Sequence, residues 1–221
     1  MIKTVFFSFV TLLISTLFTV GCVSSQPTPI SQKTNAELIQ LLETFEHKYE
    51  EASEYPFYEI VSELEKRGAS ASEAAPVLAR MIAFDGSTSV TASHPLIAME
   101  AAAKPAIPYL LGNLNNPRED VRRYSIFVLG TIGEPARCST PYIAPLLWDE
   151  DPYVRSATSG AITEITSIML VESELYKLDP SIPGSVPADG EDFKISQMAR
   201  DWWLETGQYS DWPNENCELQ E

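Results

Sequence analysis

The chain is poor in the side chains that most chemistry needs. Two histidines and three cysteines are the whole stock of imidazole and thiolate metal ligands in 221 residues. His47 and His94 stand far apart, and neither has a cysteine or a second histidine at metal-binding spacing. Cys138 and Cys217 lack a CxxC context, and no glycine-rich phosphate loop occurs. Basic residues are also scarce, with 15 Lys and Arg against 31 Asp and Glu, a formal net charge of −16. A surface so acidic repels phosphate backbones and anionic lipid heads, which argues against nucleic acid as a partner. Carboxylates are plentiful, but nothing in the sequence marks out one pair for acid–base work. The expectation is therefore a protein that is not an enzyme and needs no cofactor or metal.

Charge is missing altogether from one stretch. After Met1-Ile2-Lys3, residues Thr4 to Val20 carry none, and Gly21-Cys22 follow. A cationic start, an apolar run and a small residue before a cut site are the parts of a secretory signal. A retained membrane helix is the competing reading, since about 20 uncharged residues suffice to span a bilayer. Ser8, Thr11, Ser15, Thr16 and Thr19 dilute the run, however, and no basic cluster stops it on the far side. Cleavage is the reading preferred. Removing Lys3 with the leader takes the net charge from −16 to −17.

Leu17-Phe18-Thr19-Val20-Gly21-Cys22 resembles a bacterial lipobox, with Thr19 where a leucine is usual. The resemblance implies that Cys22 receives lipid and becomes the new N-terminus, tethering the protein to a membrane. Two or more acyl chains anchor stably where one would be marginal. The polar, Pro-containing stretch Ser24 to Lys33 then reads as a flexible tether. Val23 is not the Asp that resembles an inner-membrane retention signal. The expected location is the cell envelope, at the outer membrane facing the periplasm if the source is Gram-negative. An oxidising envelope permits a disulfide between Cys138 and Cys217. It would pin the C-terminal tail onto the folded part, and the sequence leaves open whether the two sulfurs meet.

What is present is a repeat. Pro108-Tyr109-Leu110 matches Pro141-Tyr142-Ile143, Leu114 matches Leu147, and Val121-Arg122 matches Val154-Arg155, all at an offset of 33. Val121, Tyr124, Ser125, Val128, Leu129 and Ile132 fall at the spacing of a buried helical stripe, as do Val154, Ala157, Thr158, Ala161, Ile162 and Ile165. Gly133-Glu134-Pro135 ends one helix. Asn115-Asn116-Pro117 and Asp149-Glu150-Asp151-Pro152 make turns inside the pairs, each with a proline in or near the first turn of the next helix. A two-helix unit has apolar surface on two sides, and stacking in rows buries it.

These residues resemble HEAT repeats, in particular the shorter HEAT-like units of phycobilisome lyases. Asn116…Val121-Arg122…Leu129-Gly130…Ile132-Gly133…Pro141 carries that signature, and Asp149…Val154-Arg155…Ile165 carries part of it. Upstream, Ala75 to Ile82 and Pro95 to Ala102 look like a third pair, joined by a long turn from Asp85 to Ser93. Helices near 35–48 and 56–67 form a capping pair. The loop Asp179 to Gly190 leads to a last helix with Ile195, Met198, Ala199 and Trp202 on one face and Trp203 on its flank. That helix reads as a cap over the final repeat, or alternatively as a carrier of an aromatic patch of Trp202, Trp203 and Trp212.

The fold expected is all-α, a short right-handed α-solenoid of HEAT-like helix pairs with N- and C-terminal capping helices. Its parts are a signal peptide (1–21), a tether (22–33), N-terminal capping helices (34–70), HEAT-like repeats (71–170) and a loop, capping helix and acidic tail (171–221). The resemblance implies that Arg122 and Arg155 pair with turn carboxylates and stitch neighbouring repeats. The function expected is a scaffold that binds a protein or peptide partner at the envelope. Arg123, Ile126, Phe127, Arg155 and Ser159, off the apolar stripes, are the candidate contacts. A structural envelope lipoprotein is the alternative. A lyase-like enzyme or enzyme accessory is a third reading, opposed by the export signal.

Overall fold

A computed structural model describes residues 27–47, 56–84, 86–167, 191–213 and 217, with the backbone alone for 191–197. The leader, Cys22 and the first residues of the tether lie outside the described residues, as does the loop before the last helix. Among the described residues every regular element is helical. The α-helices are α1 (Asn35–His47), α2 (Phe57–Arg67), α3 (Ala75–Met81), α4 (Gly86–Met99), α5 (Ile107–Asn113), α6 (Glu119–Ile132), α7 (Thr140–Ile143), α8 (Pro152–Thr166) and α9 (Glu191–Glu205).

Backbone punctuation divides the chain into pairs. The residue directly after each of α2, α4, α6 and α8 has a positive φ: Gly68 (51°), Glu100 (50°), Gly133 (71°) and Ser167 (56°). Each reverses the chain out of a helix, and a 3-10 turn then leads into the next first helix at Gly68–Ala74, Glu100–Ala106 and Glu134–Ser139. Glycine adopts that conformation without strain, whereas Glu100 and Ser167 carry its steric cost. The helices that follow start alike, with Pro76, Pro108 and Pro141 in their first turns. A proline there forfeits only an N–H that has no partner within the helix.

The pairs lie side by side in two rows. α2, α4, α6 and α8 pack each on the next, α1, α3 and α5 form the other row, and α9 packs on α8 and on the segment Ala144–Trp148. Between the rows runs one apolar core, in which Leu38, Leu64, Leu78, Leu96, Leu129 and Ile162 are fully buried. α6 and α8 approach closely at Gly130, where a Cβ would stand 3.0 Å from the Cα of Ala161.

One expected boundary is corrected. Gly86 to Ser93 do not belong to the long turn expected from Asp85 to Ser93, because α4 already begins at Gly86 and carries Pro95 inside it. The 33-residue register extends one unit further back: Thr88, Ala92, Leu96 and Met99 are buried where Val121, Ser125, Leu129 and Ile132 are buried in α6. Small hydroxyl side chains hide the start of the helix from an apolar pattern. They can nevertheless be buried because their hydroxyls return to the backbone, Ser89 to the carbonyl of Ile82 and Ser93 to that of Val90.

Candidate functional site

The second helices α4, α6 and α8 leave one surface to solvent. At successive steps of 33 it carries Ser87, Asp120 and Tyr153, then Thr91, Tyr124 and Ala157, then His94, Phe127 and Gly160, all of them exposed or half-buried. Phe127 is 51 % exposed and Tyr153 57 %. Acid enters these rows with Asp120, which is paired with Arg118. The next step along the same helices, Ala98, Thr131 and Glu164, adds an exposed carboxylate, and exposed Glu119 stands one turn before Arg123.

Arg123 is its cation. Its guanidinium carbon lies 4.9 Å from the ring centre of Tyr124 and 5.7 Å from that of Tyr153 on the neighbouring helix. Its Nη2 donates to the Tyr124 hydroxyl at 3.3 Å. Among the described ion pairs none involves Arg123. An arginine spread over aromatic rings keeps its charge and its free N–H edges while losing little mobility on binding.

The five candidate contacts therefore divide. Arg123 and Phe127 lie on this face. Ile126 and Ser159 do not, because both side chains are fully buried. α6 packs against α4, α5 and α8 at once, so it buries a second stripe, Arg122, Ile126 and Gly130, beside the first. A residue off one stripe is thus on another. Ser159 is buried for the same reason, and its hydroxyl donates to the carbonyl of Arg155. Tyr153 was outside the expected set although it is the most exposed aromatic residue on the face. The signal available for it was its position at the start of α8, beside Arg123 across the helix pair.

Arg155 is engaged with its own turn. Its Nη1 donates to the carbonyls of Asp149 (2.9 Å) and Glu150 (3.0 Å). Arg122, one register earlier, does the same to Asn116 (2.8 Å) and Pro117 (3.1 Å). Arg122 then goes further, gripping the Asp149 carboxylate of the next unit through Nε (2.9 Å) and Nη2 (2.8 Å). This pair is 8 % and 7 % exposed, and the carboxylate holds the Arg122 guanidinium above its ordinary pKa against the effect of burial. Earlier pairs are tied by other polar contacts: Arg80 grips Glu46 through two bonds, and Asn113 donates to the carbonyl of Ala79.

At the C-terminal end Trp202, Trp203 and Trp212 cluster with ring centres 6.1 to 6.4 Å apart. All three are half-buried, and the indole N–H of Trp212 donates to the carbonyl of Gly207. Gly207 lies beneath two of them, where a Cβ would come within 2.5 Å of the Trp203 ring. Ala199 of α9 is fully buried. Trp202 and Trp203 pack against the apolar core. Cys138 and Cys217 are joined by a disulfide, with Arg137 stacked over Trp212 beside it.

No group of histidine, cysteine and carboxylate side chains that could hold a metal ion occurs among the described residues. None of the described helices is long and apolar enough to cross a membrane. No protein-family model matches the chain, and a search of the curated proteins finds no match.

Proposed function

We propose that this protein is an envelope lipoprotein, anchored through an acylated Cys22, whose helix pairs form a short right-handed α-solenoid of the HEAT-like kind. In this reading it serves as a scaffold that recruits a protein partner on the solvent face of α4, α6 and α8. The solenoid reading is supported by the 33-residue register, by the positive φ that closes each second helix, and by the Arg122–Asp149 tie between consecutive pairs. The recruiting role rests on one observation: exposed Phe127 and Tyr153 flank an Arg123 that is held over two tyrosine rings. Aromatic and arginine anchors dominate the energetics of protein interfaces.

The test uses the full chain in its native membrane. The double substitution Arg123→Ala with Phe127→Ala should leave the unfolding midpoint nearly unchanged, since surface changes usually move stability by less than about 0.5 kcal/mol. Proteins that co-purify with the native chain after cross-linking should be lost from the double mutant. Retention of the same set would refute the face as the recruiting surface. For the anchor, labelled palmitate should enter the native chain and be absent from Cys22→Ser. Equal labelling of both would refute the lipid attachment.

A further inference from the structure

Two arginines of one register meet different ends. Arg122 uses one edge of its guanidinium on the carbonyls of its own turn and the other on the Asp149 carboxylate of the following unit. Arg155 repeats the first half of that arrangement. The second half is missing, and among the described ion pairs Arg155 has none. Beyond α8 there is no further pair in the described chain, and α9 packs there instead.

α9 brings a second cation to this end. Arg200 donates through Nε to the carbonyl of Leu147 at 2.7 Å, and its guanidinium carbon lies 5.5 Å from the ring centre of Trp148. Burial holds this guanidinium below its ordinary pKa, and the charge of Arg155 adds to the effect, while Asp201 offsets part of it. Trp148 is 46 % exposed, and both arginines are half-buried. Arg200 and Arg155 thus donate to backbone carbonyls on either side of an accessible indole, at Leu147 and at Asp149 and Glu150, and neither appears among the described ion pairs of a strongly acidic chain. The interior of the same molecule displays what answers such an arginine, a bidentate carboxylate.

We propose that Arg155, Arg200 and Trp148 form a binding site for an aspartate or glutamate side chain of a partner polypeptide, presented as Asp149 is presented to Arg122. The site is separate from the face of α4, α6 and α8, because Arg200 comes from α9 and Trp148 from the segment before the Asp149 turn, and Arg123 does not contribute. A carboxylate there balances the charge of the two cations and pairs with Arg155 as Asp149 pairs with Arg122. The indole offers the adjoining apolar surface.

The probe is an N-acetylated, C-amidated peptide with the sequence of the chain's own turn, Leu147 to Tyr153. It is titrated into the disulfide-intact protein while the side-chain Nε–H signals of Arg155 and Arg200 are followed by NMR. Both signals should shift in a saturable manner, and the shift should shrink as salt is raised. The same peptide with Asp149→Asn should bind at least about tenfold more weakly, since a charge-assisted bidentate contact exceeds that difference of 1.4 kcal/mol when half-buried. Arg200→Gln should weaken the native peptide without abolishing the Arg155 shift. No saturable shift of either signal, or an equal response to the two peptides, would overturn the proposal. The peptide comparison leaves the protein untouched, so misfolding of a variant cannot obscure the result.

Discussion

Gly130→Ala and Gly160→Ala make a paired experiment on the packing of two closely apposed helices. Both glycines sit inside helices, α6 and α8, where alanine is intrinsically favoured by about 1 kcal/mol. Their surroundings differ. A Cβ on Gly160 would meet nothing within 4 Å, whereas one on Gly130 would stand 3.0 Å from the Cα and 3.1 Å from the Cβ of Ala161. The first of these is backbone and cannot swing aside, so α6 and α8 must separate. Overpacking of that kind costs about 1–3 kcal/mol, which exceeds the propensity gain. Gly160→Ala should therefore raise stability by up to about 1 kcal/mol and Gly130→Ala should lower it by a similar amount. For a domain of this size, a gap near 2 kcal/mol is about 4–8 °C in melting temperature. Thermal unfolding followed by circular dichroism at the helical band reads it directly. If Gly130→Ala melts as high as Gly160→Ala, the close crossing of α6 and α8 is wrong.

Glu100→Gly should stabilise the protein by roughly 1 kcal/mol, because it relieves a positive φ that costs an L-residue about 1–2 kcal/mol, less the entropy a glycine loses on folding. Denaturant unfolding checks this, and a loss of stability would mean that the carboxylate side chain matters more than the backbone. Ser125→Ala should also stabilise, by about 1 kcal/mol, since the Ser125 hydroxyl is buried without a hydrogen-bond partner and Ala92 already fills that register position in α4. A fall in the unfolding midpoint would show that the hydroxyl is satisfied. Cys217→Ser should cost about 2–4 kcal/mol, because the bridge to Cys138 closes a loop across 79 residues of separation. It should also alter tryptophan emission, since Trp212 lies against Arg137 next to the bridge, and an unchanged midpoint with and without reductant would refute the staple.

How far the fold could be read from the sequence depended on which residues built each helix. α6 and α8 announce themselves because leucine, isoleucine and valine mark their stripes, and α1 and α2 fall within a residue or so of the periodic segments. α4 kept the same register but built its buried face from Thr88, Ser89, Ala92 and Ser93 ahead of Leu96, so hydropathy marked only its C-terminal part from Pro95. The punctuation was half legible: Gly68 and Gly133 are recognisable helix ends, while Glu100 and Ser167 adopt a positive φ that no residue type there foretells. The candidate face was legible in part. Single-stripe reasoning left Ile126 and Ser159 free, and only the three-sided packing of a middle-row helix removes them. Arg200 could not have been found at all, because it lies outside the repeating register and reaches the end of the row through tertiary packing.

A stack of similar units must solve at its end the problem that each unit solves for its neighbour, and that problem has an apolar and a polar part. The apolar part at the C-terminal end is met by α9, with Ala199 buried and Trp202 and Trp203 packed against the core. The covering tryptophans are in turn held down by Gly207, Trp212 and the disulfide. The polar part is handled in the opposite sense. A cap selected only to close the row would set a carboxylate against Arg155, which is in none of the described ion pairs, as Asp149 does for Arg122, because a half-buried cation is favoured by such a partner. Instead α9 contributes Arg200, which spends one donor on Leu147 and adds positive charge that Asp201 offsets only in part. If this end binds a carboxylate as proposed, closing the apolar face while adding a cation at the polar edge separates stability from recognition there. It also explains why the tryptophans and the arginines, though neighbours, should respond differently to substitution: changes beneath the indoles should unfold the cap, whereas changes at Arg200 should alter what the end of the row can hold.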